Sequence, residues 1–327
     1  MAKRIIICCD GTWNTPEKKD VTNIVKFARA IKPADSDGKE QVVFYDWGVG
    51  TDGGADKIKG GAFGAGIDKN IQDAYRFLVH NYAKGDEVYV FGFSRGAYTA
   101  RSLIGLIRNC WLLKKSNADL IPEAYEVYRS KSKVDANKTK NFRSTNARKI
   151  KIKFLGVWDT VGALGIPLGI FGKRNERKYS FHDTTITSIV NNAYHALAIN
   201  EKRKPFKPTI WKTKLKRKNT EQVWFFGVHC DVGGGYKEAR LSDYALKWMA
   251  DKAKACDLVF NDSYLKKIKD KNDIRLHNSF TVPYYALGKH IRQIGANNSD
   301  ESLHPSVKKL YKNSKKFRPE NLIKYLS

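Results

Sequence analysis

Five short runs of β-branched and aromatic residues set the terms for this chain. They are RIIICC (4–9), QVVFYD (41–46), EVYVFGF (87–93), KIKIKFLGVW (149–158) and QVWFFGV (222–228). Runs of this length and composition read as strands. Between them lie stretches with helical patterning, at about 21–31, 67–82, 95–112, 184–201 and 242–256. In 95–112 the apolar residues fall at 97, 100, 103, 104, 107 and 111, close to a period of 3.6. Strands that alternate with helices predict an α/β fold with a mainly parallel sheet and helices on both faces. The chain of 327 residues is read as one domain over 1–327 with lid-like insertions at about 113–148 and 162–183, the alternative for such an excursion being an ordinary packed insertion. Residues 113–148 are polar and basic, with one helical piece at PEAYEVYRS. Residues 162–183 begin apolar and glycine-rich and then turn basic.

Composition narrows the function classes. Hydrophobic residues make up 42% of the chain, enough for a packed core. No apolar run approaches the roughly 20 residues of a membrane span. The opening MAKRIIICCDGTW reads as a strand ended by Asp10, with no targeting peptide, so cytoplasmic synthesis is expected. The five cysteines (8, 9, 110, 230 and 256) form no CxxC pair and are expected to be reduced and mostly buried. No metal or other cofactor is expected. The formal net charge of +27 favours anionic partners. The basic residues are spread along the chain, with one concentration at 201–218, EKRKPFKPTIWKTKLKRK, where nine Lys/Arg stand beside one Glu.

The chemistry begins at Gly92-Phe93-Ser94-Arg95-Gly96, which follows a strand and opens an amphipathic helix. That is the context of a nucleophile elbow. A serine on a strained strand-to-helix turn projects its hydroxyl beyond the sheet, and Gly92 and Gly96 spare the turn a side-chain clash. The helix N-terminus beneath it favours a developing oxyanion. The competing reading is a strand-ending turn with Ser94 as an ordinary helix N-cap. A nucleophilic serine needs a base, and the base an acid to orient it. Strand 149–158 ends in Trp158-Asp159-Thr160-Val161-Gly162, and strand 222–228 runs into His229-Cys230-Asp231-Val232-Gly233. Asp159 as acid and His229 as base give the chain order Ser, Asp, His of α/β-hydrolases, at the sheet edge where open α/β folds place their sites. His195, the main competitor for the base, is read as a mid-helix histidine satisfied in the core or at the surface, and Asp231, which competes with Asp159, as a supporting residue too close in sequence to His229 to reach its far ring nitrogen. After the first strand, Gly11 or Thr12 offers a second oxyanion amide to join that of Arg95, with Asp10 bracing the loop. The triplet Asp10-Gly11-Thr12 also occurs in phosphoaspartate phosphatases, but their partner aspartate is Cys8 here. GVGTDG (48–53) matches a dinucleotide-binding pattern, yet no helix opens inside it.

IIICCDGTWN, GFSRGAYTAR, GVWDTVGALG, YHALAINEKRKPF, GVHCDVGGGY and LSDYALKWM, in that order, resemble the bacterial and fungal family of first-class type VI secretion phospholipase effectors. The resemblance spans roughly 4–310 and implies an α/β-hydrolase fold and metal-free phospholipase A activity. The nucleophile falls on Ser94, the acid on Asp159 and the base on His229. It implies a phospholipid membrane surface as partner, with secretion machinery and an immunity protein as further partners and export without a signal peptide. The chain departs from the pattern at Asn200, where the family often has Asp, and lacks the extra segments of longer effectors. The alternatives are an esterase for soluble short-chain esters and a basic non-catalytic member of the fold that binds nucleic acid or another partner. Against nucleic acid, the sequence carries no recognisable reading motif, and its aromatics sit mainly in the strand runs.

Overall fold

The computed structural model describes residues 2–12, 14–48, 60–130, 136–162, 185–212, 219–267, 274–295 and 301–327. Among the described residues seven strands form one sheet: β1 (Arg4–Cys9), β2 (Gln41–Asp46), β3 (Glu87–Phe93), β6 (Ile152–Trp158), β7 (Val190–Ala198), β8 (Thr220–Phe225) and β9 (Glu301–Leu303). Their order is β2-β1-β3-β6-β7-β8-β9, and every adjacent pair is parallel. The chain leaves β1 to one side for β2 and returns to its other side for β3. The C-terminal ends of β1 and β3 therefore flank a topological switch point, where open sheets leave a crevice.

Both faces of the sheet are covered. Ile5, Ile7 and Cys9 of β1 and Val88 and Val90 of β3 pack with helices α2 (Gly60–Asn81), α3 (Arg95–Cys110) and α4 (Ile121–Arg129). Ile6 and Cys8, with Tyr89, Phe91 and Phe93, face the other way, toward α1 (Asn23–Ala30) and a helix at Arg240–Lys254. This alternation is the period-2 geometry of a strand buried on both sides, and it sends Cys8 and Cys9 to opposite faces. Phe27, Phe91 and Trp158 form an aromatic centre in the second layer, with the Phe27 and Phe91 rings 4.3 Å apart. All five cysteines are free thiols, and Cys8, Cys9 and Cys110 are buried. No helix among the described residues is long and apolar enough to cross a membrane.

The structure departs from the sequence reading, or decides between its alternatives, at three points. The helix expected over 184–201 is the interior strand β7, paired with β6 and β8. Its Ala- and Leu-containing sequence carries a helical spacing, but its neighbours bury both faces, and tertiary pairing overrides weak propensity. His195 is therefore a fully buried strand residue instead of a mid-helix one. The insertion at 113–148 is packed against the body of the fold. A two-stranded ladder, β4 (Leu112–Leu113) with β5 (Ala147–Arg148), closes its base, and α4 and α5 (Asn137–Asn146) lie between. Tyr128 of α4 sits where a side chain on Gly105 of α3 would meet it at 3.0 Å. The third point is β9, whose three residues are too few to register as a periodic signal. Residues 163–184 of the second insertion and 213–218 of the basic stretch lie outside the described residues, as does most of the GVGTDG match.

One buried amide ties the two helices of the second layer to each other and to the segment after β8. Asn23 Nδ2 donates to the carbonyls of Val232 and Ser242, each at 2.9 Å. Replacing Asn23 with Ala removes both donors from buried acceptors. The expected loss is about 2 kcal/mol, read as a lower urea midpoint at unchanged slope.

Candidate active site

The turn after β3 is the most strained point near the switch. Ser94 has φ 59° and ψ −120°, a conformation that a residue with a side chain seldom adopts and that costs roughly 1–3 kcal/mol. Its backbone is fixed on both sides: the Ser94 amide donates to the Trp158 carbonyl at 3.1 Å, and its own carbonyl accepts from Tyr98 at 3.3 Å. Ser94 stands at the N-cap of α3, but its side chain makes no capping hydrogen bond. Its geometry differs from the β-region backbone and amide bond of an ordinary N-cap. The two flanking glycines are required by space. A Cβ on Gly92 would lie 2.5 Å from the Gly96 carbonyl oxygen. One on Gly96 would lie 2.2 Å from that of Cys9. The turn is thus pressed against the end of β1, and a Cβ built on Gly11 comes within 3.4 Å of Ser94 Cβ.

Asp159 and His229 meet directly. The residue after β6 takes φ 38°, and its carboxylate Oδ2 accepts from His229 Nδ1 at 2.6 Å. A carboxylate only accepts, so Nδ1 carries the proton and Nε2 is left as the basic nitrogen. His229 begins the five-residue helix α6 (His229–Gly233), and its ring packs 4.6 Å from that of Phe93, the neighbour of Ser94. Phe206 closes on the same imidazole edge-on at 5.0 Å.

Asp159 is completely buried and bound at four points. Besides His229, it accepts from the Ala198 amide at 3.0 Å. Arg292 grips it with both ends of its guanidinium, at 2.6 and 3.0 Å. Arg292 is itself buried and also donates to the carbonyls of Ala198 and Phe206. Burial acts to raise the Asp159 carboxyl, yet the Arg292 charge and then the His229 bond hold it well below the usual carboxylate range. Burial pushes the His229 imidazole down from its ordinary 6.5, against the upward pull of Asp159.

Glu201 anchors His229 from its backbone. Its buried carboxylate accepts from the His229 amide at 3.2 Å, from Ser279 Oγ at 2.8 Å, and from the Arg203 side chain twice at 2.9 Å. Burial would raise this carboxyl, but Arg203 brings it down to about 2, so it stays charged. Asn200 accepts from the Gly227 amide at 2.9 Å, fixing the turn before α6. Arg292 has no signal in the sequence; it lies 133 residues from Asp159 in an unpatterned segment. Glu201 and Asn200 fall inside the YHALAINEKRKPF motif but carry no chemical signature there.

The remaining expected residues separate by role. Asp10 holds its loop as a buried acceptor for the Gly11 amide at 2.6 Å and for the hydroxyls of Thr22 and Tyr45, each at 2.7 Å. That engages the Gly11 N–H, so of the two amides considered for the loop Thr12 is the better candidate donor. Arg95 supplies the first amide of α3, and burial lowers its side chain to about 10. Asp231 turns away from His229: it accepts from the Val228 amide at 3.0 Å and from His277 Nδ1 at 2.6 Å. His195 accepts from the Thr160 amide at 3.2 Å through Nε2, and burial drives it down to about 3, so it stays neutral and braces the turn after Asp159. Among the described residues no group of three or more His, Cys, Asp or Glu is arranged to hold a metal ion. The set as a whole offers a strained serine, an oriented imidazole and an ionised acid at one edge of a sheet.

Comparison with known proteins places this geometry in context. The model of the "T6SS, Phospholipase effector Tle1-like, catalytic domain" matches residues 3–252. The uncharacterized protein YEL023C of Saccharomyces cerevisiae is 29% identical over 229 residues, 63% of this chain and 32% of its own length. A crystal structure of an uncharacterized protein from Pseudomonas aeruginosa superposes with a TM-score of 0.48 at 19% identity, covering 81% of this chain and 47% of that one. A structure of the Tle1 effector bound to the VgrG spike from the Type 6 secretion system gives a TM-score of 0.42 at 19% identity, covering 73% of this chain and 52% of its own. The chain thus spans about a third of the yeast relative and about half of each solved chain.

Replacing Arg292 with Met keeps bulk but strips the buried Asp159 of its countercharge. The variant is expected to lose about 3–5 kcal/mol, measured by urea unfolding. A loss under 1 kcal/mol would show that the ion pair does not govern the site's stability.

Proposed function

Because the chain belongs to the family of Tle1-like phospholipase effector catalytic domains of type VI secretion, we propose that it hydrolyses fatty-acyl esters of membrane glycerophospholipids with Ser94, His229 and Asp159 as its triad. The observation that carries this reading is the 2.6 Å bond between His229 Nδ1 and Asp159, beside a serine held at φ 59°.

In this mechanism Ser94 Oγ attacks the acyl carbonyl and its proton passes to His229 Nε2. Asp159, kept ionised by Arg292, stabilises the imidazolium and fixes the tautomer. The backbone amides of Arg95 and Thr12 receive the oxyanion. Collapse of the tetrahedral intermediate breaks the ester C–O bond, and the lysophospholipid alkoxide leaves with the proton from His229. Water, deprotonated by the same nitrogen, then attacks the acyl-enzyme, and fatty acid is released as Ser94 regains its proton. The apolar segment 163–171 and the Lys-rich 201–218 would meet acyl chain and headgroups. Export by secretion machinery is proposed on the family's description, and an immunity partner on the sequence resemblance alone.

A fluorophosphonate probe is expected to label the protein at Ser94 and to leave Ser94→Ala unlabelled. The variant's phospholipase kcat falls by about 10⁴-fold or more. Equal labelling of both proteins would remove Ser94 as the nucleophile. Higher turnover of micellar than of monomeric esters separates a lipolytic enzyme from an esterase for soluble substrates.

The pH profile supplies a separate check. His229 must be neutral to accept the serine proton, and burial lowers its pKa. A lowered pKa keeps the base form present at lower pH. The acid limb of kcat/KM is therefore expected to have its midpoint below 6.5. A midpoint at or above that value would contradict the assignment of a buried base.

A further inference from the structure

We infer that the rim formed by residues 202–207 and 280–290 is an interfacial docking surface for an anionic phospholipid bilayer. This inference deepens the proposed lipolytic activity and rests on it. The two segments lie side by side. Lys204 donates its amide to the Gly288 carbonyl at 3.1 Å, His290 donates to that of Lys202 at 2.8 Å, and Arg203 bridges Lys289. They stand over the candidate site: Phe206 touches the His229 ring on its inner side and packs edge-on to Tyr284 at 6.1 Å. The Arg203 guanidinium is stacked over the Phe206 ring at 3.4 Å and locked to buried Glu201. The inner side of this layer is therefore fixed by the catalytic geometry.

Its outer side shows what it could meet. The short helix Val282–Tyr285 presents Val282 at 76% and Tyr285 at 58% exposure, the two most exposed large hydrophobic residues described. Lys202, Lys204, Lys207 and Lys289 are exposed on the same two segments. Neither 202–212 nor 274–295 contains an Asp or Glu. An apolar tip on segments that carry four exposed lysines and no acidic residue complements a surface with negative headgroups above an acyl interior. A bilayer seated there would lie next to the strained serine turn, so that an acyl ester has a short path to the nucleophile.

The test uses the full chain carrying Ser94→Ala, so that binding is read without hydrolysis. Co-sedimentation is measured with vesicles of equal parts phosphatidylcholine and phosphatidylglycerol and with vesicles of phosphatidylcholine alone. The parent is expected to bind the anionic vesicles and to lose binding as salt rises. Val282→Asp with Tyr285→Asp lowers the partition coefficient at least tenfold. Lys204→Glu with Lys289→Glu lowers it by more than about fivefold per site, since each lysine near an anionic surface contributes about that factor. Thermal unfolding of each variant within a few degrees of the parent shows that the fold is retained. Partitioning of folded variants equal to the parent overturns the inference, as does a parent that fails to bind anionic vesicles. So does a rim that instead self-associates, with a concentration-dependent dimer lost in the Val282/Tyr285 variant and no vesicle binding. Hydrolysis of micellar phospholipid and of a monomeric ester by the unmodified protein is measured alongside. Its absence with vesicle binding intact would sink the catalytic reading and leave the docking surface standing.

Discussion

A single buried carboxylate organises this site. Asp159 sits with no solvent contact, and a lone ionised group there would be costly beyond what a domain of this size can offset. Its charge is tolerated because Arg292, His229 and the Ala198 amide saturate its oxygens. Those partners come from a C-terminal segment, from the turn after β8 and from β7. Satisfying one group thus requires four parts of the chain to arrive together. Once they do, the imidazole has one tautomer and one orientation, and the acid has no capacity left to take a proton.

The sheet supplies the platform for that meeting. Phe93 of β3, Trp158 of β6 and Ala196 of β7 are in register. Ser94 and Asp159 follow them and are pinned by consecutive amide bonds, Ser94 to Trp158 and Asp159 to Ala196. Parallel pairing brings both residues to the same edge, while the switch between β1 and β3 brings Gly11 alongside Ser94. The backbone strain at Ser94 persists because β1 and α3 meet so closely there that Gly96 has room for no side chain. Around this edge the protein adds a second ring of fixed charges. Glu201 holds the His229 backbone and Arg203, and Arg203 in turn supports Phe206 over the imidazole.

Much of this was legible from residue order alone. Runs of β-branched residues ended where strands β1, β2 and β3 end, because their apolar content is dictated by burial on both faces. Gly-x-Ser-x-Gly at a strand-to-helix junction pointed to a strained turn because only glycine fits beside it. Strand β7 was misread as helix, since its alanines and leucine satisfy a helical spacing and only its neighbours on either side make it a strand. The insertion at 113–148 could not be told from a lid by its polar composition; its packing on α3 depends on Tyr128 and Gly105, which no local pattern links. Asp231 is too close in sequence to His229 to orient it, but only the fold shows its partners, the Val228 amide and His277.

The sequence by itself determined strands β1, β2, β3, β6 and β8, where the serine turn falls, and which aspartate and histidine follow β6 and β8. Those properties follow from local sterics and from burial patterns that repeat every two or four residues. Only the tertiary structure decided that Arg292 and Glu201 gather around Asp159 and His229, that the Gly11 amide is already engaged, and that Phe206, with Tyr284 packed on it, closes over the imidazole. Each of these depends on contacts between residues remote in the chain, and pairing across such distances is fixed by the sheet order and by the need to neutralise buried charge.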